Sequence, residues 1–133
     1  MWIPYETIRK HPADFRITYT FFTEAEGGRK NPVFQGLRCD FSYAGDDVQK
    51  DGLFAIHPEF EDKNGEVIMD NTIPVSGKGT ARMWILFPEM RREVHLERIK
   101  VGVRGFFMEG PRKIASIEVI ELVGLRENAH LIK

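Results

Sequence analysis

From Phe15 to Phe22 the chain alternates: Phe15, Ile17, Tyr19 and Phe21 fall between Arg16, Thr18, Thr20 and Phe22. A period of two in aromatic and β-branched residues is the pattern of a strand with one buried face, and a helix cannot satisfy it. Similar short runs recur between turn signals. Leu37 to Tyr43 follows a loop from Gly27 to Gly36, where paired glycines and Asn31-Pro32 interrupt regular structure. Leu53 to Glu61 and Glu66 to Met69 flank Asp62-Lys63-Asn64-Gly65, whose Asn-Gly supplies the positive φ values of a tight hairpin. The apolar run Ala81 to Phe87 stops at Pro88, and Val101 to Glu109 and Ile114 to Val123 flank the turn Gly110-Pro111-Arg112-Lys113. Residues 89 to 98 favour helix by composition, but Met90, Val94 and Leu96 sustain no helical stripe, so an extended insert is expected there.

Short strands, frequent turns and no long helix predict an all-β fold: a closed, antiparallel-rich barrel of six strands, which leaves no exposed edge. The 133 residues fit a single domain over 1–133, with a core over about 15–123 and short tails at 1–13 and 124–133. With 19 Lys+Arg against 20 Asp+Glu the formal net charge is −1, so a polyanion would have to meet a local basic patch. The single Cys39 can form no disulfide within the chain, which points to a reducing compartment, the cytoplasm. The N-terminus lacks a basic leader running into an apolar stretch, and no apolar run approaches the roughly 18 residues that span a bilayer. Secretion and a membrane location are therefore not expected.

Chemistry-bearing residues are sparse. His57-Pro58-Glu59 and His11-Pro12 invite a metal, yet a zinc site needs three or four converging ligands and the four histidines are scattered, so no metal is expected. Glu59 and Glu61 share a strand face as a conceivable acid/base pair, but alternating carboxylates on a strand are expected to be a solvated face. Cys39, inside an alternating strand, reads as a small core residue and not a nucleophile. Gly77-Lys78-Gly79-Thr80 has the residue types of a phosphate loop, lacks its upstream glycine and precedes a strand instead of a helix. No nucleotide, no cofactor and no enzymatic activity are expected.

Two segments carry a family resemblance. Glu26-Gly27-Gly28-Arg29, followed by Pro32, Phe34, Gly36, Arg38 and Phe41, resembles the first loop and second strand of the C-terminal β-barrel domain of elongation factor Tu. Gly102-Val103-Arg104 with Glu109-Gly110-Pro111-Arg112 is similar to the last hairpin of that domain. The resemblance spans roughly residues 15–123, one domain of a three-domain translation factor. It implies that domain's barrel fold, and a surface that meets the T-stem backbone of aminoacyl-tRNA, sister domains and an exchange factor. By the same resemblance Arg29 and Gly110 lie near the tRNA stem, and Lys30 stands where the family often has histidine. The family's Pro-Gln in the second strand is Cys39-Asp40 here, and a carboxylate repels a nucleic-acid backbone. A further family contact, a Lys or His before the last hairpin, falls on His95 by a gapless count. Matching the strand and its proline instead puts Phe87-Pro88 there, makes residues 89–98 an insertion and leaves His95 a loop histidine.

Two binding functions follow as expectations. In the first, tRNA or another structured RNA meets Arg29, Lys30, Gly110, Arg112 and Lys113, a phosphate-facing cluster whose affinity would fall steeply with salt. In the second, a protein partner meets the aromatic residues Trp84, Phe106 and Phe107, at a surface that occupies or imitates a partner site of the elongation factor. Arg29 and Arg112 fit either a phosphate contact or a loop clamp. Arg38 and Arg104 read as clamps that bond loop carbonyls or pair with Glu26 and Glu109, since a rigid fork of donors suits that task.

Overall fold

The computed structural model describes residues 1–131. The alternating runs become β1 (Phe15–Phe21), β2 (Asp40–Tyr43), β3 (Ile56–Phe60), β4 (Lys78–Ile85), β5 (Arg104–Glu109) and β6 (Arg112–Leu122). They form one six-stranded sheet in the order β2-β5-β6-β1-β4-β3, with every neighbouring pair antiparallel. The predicted inward residues of β1, Phe15, Ile17 and Tyr19, are buried against Ile56 and Phe60, Met83 and Ile85, and Phe107, Ile117 and Val119. Tyr19, Phe21, Phe60 and Phe107 gather toward one end of this core, Tyr19 lying 5.1 Å from Phe60 and Phe21 6.0 Å from Phe107 between ring centroids.

The sheet curls, but it does not close into the expected barrel. Its edge strands β2 and β3 approach through one bridge, where Phe41 and Phe54 exchange N–H to carbonyl hydrogen bonds of 2.9 Å. The reason for the gap lies in β3. The Glu61 N–H donates to the Thr80 carbonyl of β4 at 3.0 Å, so the odd-numbered N–H groups of this strand face its neighbour. Even-numbered groups face the open edge, and at that edge Pro58 has no N–H to give. At the next edge position the side chain of Gln35 occupies the place of a strand. Its Oε1 accepts from the Phe60 N–H at 2.8 Å, while its Nε2 donates to the Phe60 and Ile68 carbonyls at 2.9 Å each.

The turn over Asp62–Gly65 forms as expected, with the Gly65 N–H donating to the Asp62 carbonyl at 3.0 Å, but Glu66 to Met69 is no strand. A single bridge, Glu61 to Val67, is all that follows it among the described residues. The four-residue turn expected between β5 and β6 is tighter than that, because Glu109 already pairs with Arg112 across Gly110-Pro111.

Residues 89–98 are helical, not extended. They run through α3 (Pro88–Met90), a π-helical stretch (Arg91–His95) and α4 (Leu96–Arg98), after the short helices α1 (Tyr5–Arg9) and α2 (Val48–Asp51). A search for an apolar stripe misses this helix because its anchors are polar. Arg91 and His95, four residues apart, are both buried. Arg91 Nε lies 2.8 Å from Asp14 Oδ1 and its Nη2 donates to the Ile85 carbonyl at 2.9 Å, while His95 Nδ1 shares a 2.6 Å hydrogen bond with the Tyr43 hydroxyl. His95 is thus a core histidine and not a loop residue.

The flanking segments belong to the packed structure. Trp2, Tyr5 and Ala13 cover Trp84 on the outer face of the sheet, forming a second small apolar cluster. At the other terminus, α5 (Leu125–Asn128) is fastened by Asn128 Nδ2, which donates to the Pro12 carbonyl at 2.8 Å and to Asp14 Oδ1 at 2.9 Å. Among the described residues no helix is long and apolar enough to cross a membrane.

Candidate functional site

The glycine-rich loop starts where β1 ends. Thr23 caps a short 3₁₀ turn: its Oγ1 accepts from the Glu26 N–H at 3.2 Å, and Glu26 Oε1 accepts from the Thr23 N–H at 2.8 Å. Those hydrogen bonds hold the Glu26 carboxyl below its ordinary pKa. Gly28 then folds back on the strand so closely that a Cβ there would collide with the Phe22 carbonyl oxygen. The glycines of this loop therefore serve chain geometry, and they deliver Arg29 to the far hairpin.

There, Arg29 forms an ion pair with Glu109, eighty positions along the chain, and its Nε donates to the Asn31 carbonyl at 3.4 Å. The loop and the last hairpin are thus neighbours in the fold. The hairpin turns at Gly110, whose φ of 58° followed by proline matches a type II′ turn. Lys30, Gly110, Arg112 and Lys113 are all exposed, and Lys113 Nζ lies 4.2 Å above the Phe106 ring. The five residues expected to face a phosphate thus share one end of the sheet, with Arg29 already engaged by Glu109. Of the two arginines expected as clamps, Arg104 makes a loose 3.4 Å pair with Glu118 on the exposed outer face, and Arg38 is exposed. The clamp on Glu109 is Arg29.

The aromatic residues expected to meet a protein do not form one surface. Trp84 and Phe107 have no exposed area, Trp84 beneath the N-terminal segment and Phe107 in the main core, so neither can touch a partner of the folded chain. Phe106 reaches the surface. Placing Phe106 and Phe107 on opposite faces follows from strand alternation, whereas the cover over Trp84 comes from residues far away in sequence.

Glu59 and Glu61 are not a solvated face, since both are buried. Glu59 Oε2 accepts from Trp2 Nε1 and the Tyr5 N–H at 2.8 Å each, and Oε1 accepts from Trp84 Nε1 at 3.1 Å. Glu61 is bound by Arg16 Nη2 at 2.8 Å, Arg82 Nε at 2.9 Å and Thr80 Oγ1 at 2.7 Å. Burial alone would raise the Glu61 pKa, but those hydrogen bonds outweigh it and lower it. Both carboxylates have their oxygens occupied by structural donors. Cys39 is buried as expected, and burial, with Asp40 and Glu109 nearby, pushes its thiol far up from the ordinary value. Among the described residues no three His, Cys, Asp or Glu side chains converge as a metal site would require.

Sequence reasoning missed Gln35, the buried Asp14–Arg91 pair and the Tyr43–His95 hydrogen bond. A charge placed directly before a strand, as Asp14 is, was the available signal. No protein-family model matches this chain, and no similar protein was found among curated sequences.

Proposed function

We propose that the chain is a non-catalytic binding module that grips the phosphate backbone of a structured RNA, such as a tRNA stem, at its loop–hairpin end. The observation that carries this reading is the loop–hairpin contact: β1 pairs with β6 as far as Phe21–Ala115, the Phe22 N–H donates to the Ile114 carbonyl at 3.0 Å, Arg29 meets Glu109, and Lys30, Arg112 and Lys113 are exposed beside them. Of the carboxylates nearby, Glu109 is held by Arg29, while Asp40, opposite Met108, and the exposed Glu24 and Glu26 keep their charge, so the backbone would have to run along the side of Lys30, Arg112 and Lys113. Similarity to the third domain of elongation factor Tu in the loop and hairpin supports the same surface, and supports that domain's barrel as the parent fold. Arg29 is held by Glu109 in this chain. The reading as a protein-interaction module has less behind it, because two of its three aromatic residues are buried.

The test is a titration of mixed tRNA followed by fluorescence anisotropy over a range of salt. Three phosphate contacts give a log–log slope of about −2 to −3, and Arg112→Ala with Lys113→Ala flattens it. Absence of binding at low salt overturns the reading, and a stoichiometric protein partner recovered by pull-down whose binding needs Phe106 favours the alternative.

A further inference from the structure

At the same end of the sheet a cavity of about 150 Å³ opens at the mouth of the curled sheet, walled by Phe21, Phe22, Pro32, Val33 and Val75 with Arg29 at its rim. Its wall is held in place at Phe21, which packs edge-on against Tyr19 at 5.2 Å and tilted against Phe107 at 6.0 Å. Its sides are tied together where the Val75 N–H donates to the Val33 carbonyl at 2.8 Å. A concave, mostly apolar and aromatic lining with a few polar groups at its rim is the usual surrounding of a small ligand. Asn31 and Ser76 supply such polar groups at this rim.

We infer that this cavity takes one unpaired nucleobase, so that the preferred RNA is a stem with an unpaired nucleotide beside the gripped backbone. The inference rests on the phosphate-binding reading above and specifies its ligand. An aromatic wall accepts any base, because every base offers a π face. What favours a nucleotide over an apolar peptide side chain is charge: Lys30, Arg112 and Lys113 are exposed at this end, and Lys78, next to Gly77 at the rim, is exposed as well. These cations suit the phosphates on either side of an extruded base and would have no partner around an apolar side chain.

Two RNA hairpins of identical stem, one carrying a single bulged 2-aminopurine and one fully paired, are titrated with the 133-residue chain at low salt. The bulged hairpin should bind on the order of tenfold tighter, with its 2-aminopurine emission changing on binding. Phe22→Leu keeps apolar volume and removes the ring, so it should bring the two affinities together while leaving the paired hairpin's affinity and salt slope intact. Val75→Phe, which fills the mouth, should do the same if Phe22→Leu disturbs folding. Equal affinities for the two hairpins with a normal salt slope overturn the base site and leave the phosphate surface standing. Failure of both hairpins to bind at low salt overturns both.

Discussion

Gln35 does for Phe60 what a neighbouring strand would do: its side-chain amide accepts from the Phe60 N–H at 2.8 Å and donates to the Phe60 carbonyl at 2.9 Å. Gln35 is itself buried, so water cannot take over. Gln35→Leu leaves a buried N–H without an acceptor, and a loss of about 2 kcal/mol follows. Urea unfolding should register that loss, and amide exchange at Phe60 should accelerate more than at residues paired with β4. Unchanged protection at Phe60 would show that the edge does not depend on this amide.

His95 makes stability depend on pH. Burial, reinforced by the cationic Arg98 and Arg91, lowers its pKa from 6.5 to about 4. As pH falls, the unfolded chain therefore takes up a proton at this site before the folded one does. Stability contributed by neutral His95 is whole above pH 6.5 and drains away down to about 4, in total about 3 kcal/mol. Glu61, with its pKa lowered from 4.5, contributes in full above 4.5 and loses its share as pH falls from there through the folded value, so it overlaps His95 only at the acid end of the range. Burial also lowers the pKa of His57, with the same sign. Denaturant melts of His95→Gln beside the parent chain at pH 7, 6, 5 and 4 separate the two histidines. Parallel curves would exclude His95 as the source.

Glu59 holds the N-terminal segment down, since the Trp2 indole N–H and the Tyr5 N–H both donate to it while the Trp84 indole N–H from β4 takes its other oxygen. Glu59→Gln replaces an acceptor oxygen with an N–H₂ that must face one of these donors. We expect a loss of about 1–3 kcal/mol, and a red shift of tryptophan emission as Trp2, already partly exposed, gains water. A destabilised variant with an unshifted spectrum would place the damage elsewhere.

The fold was legible where one residue's surroundings follow from its neighbours in sequence. Alternation from Phe15 to Phe21 located β1 and its buried face, and Asn64-Gly65 located a turn. What escaped depends on distant partners. Glu59 and Glu61 look like a solvated face until residues 2–5 cover one and Arg16 and Arg82 clasp the other. The helix through Arg91 and His95 carries no apolar stripe because its buried face is satisfied by Asp14 and Tyr43. The candidate surface was legible as a juxtaposition of loop and hairpin, whereas burial of Trp84 required the N-terminal cover that only the folded chain supplies.

Glu109 offers a test with an unusual sign. It is partly exposed and pairs with Arg29, so the pair adds little to stability, about 1 kcal/mol or less. Toward a polyanion, however, Glu109 is a liability twice over: it repels phosphate and it occupies the guanidinium of Arg29. Glu109→Gln keeps the shape of the side chain and removes its charge. If the loop–hairpin end binds RNA, this variant should bind tRNA more tightly than the parent, by about threefold to tenfold at low salt, with a steeper salt slope as Arg29 joins the contact. Arg29→Ala combined with Glu109→Gln should return the slope to that of the parent. Anisotropy titrations of the three chains against one tRNA preparation provide the comparison. A Glu109→Gln chain that binds no better, while folding normally by circular dichroism, would mean that the phosphates do not lie at this end of the sheet.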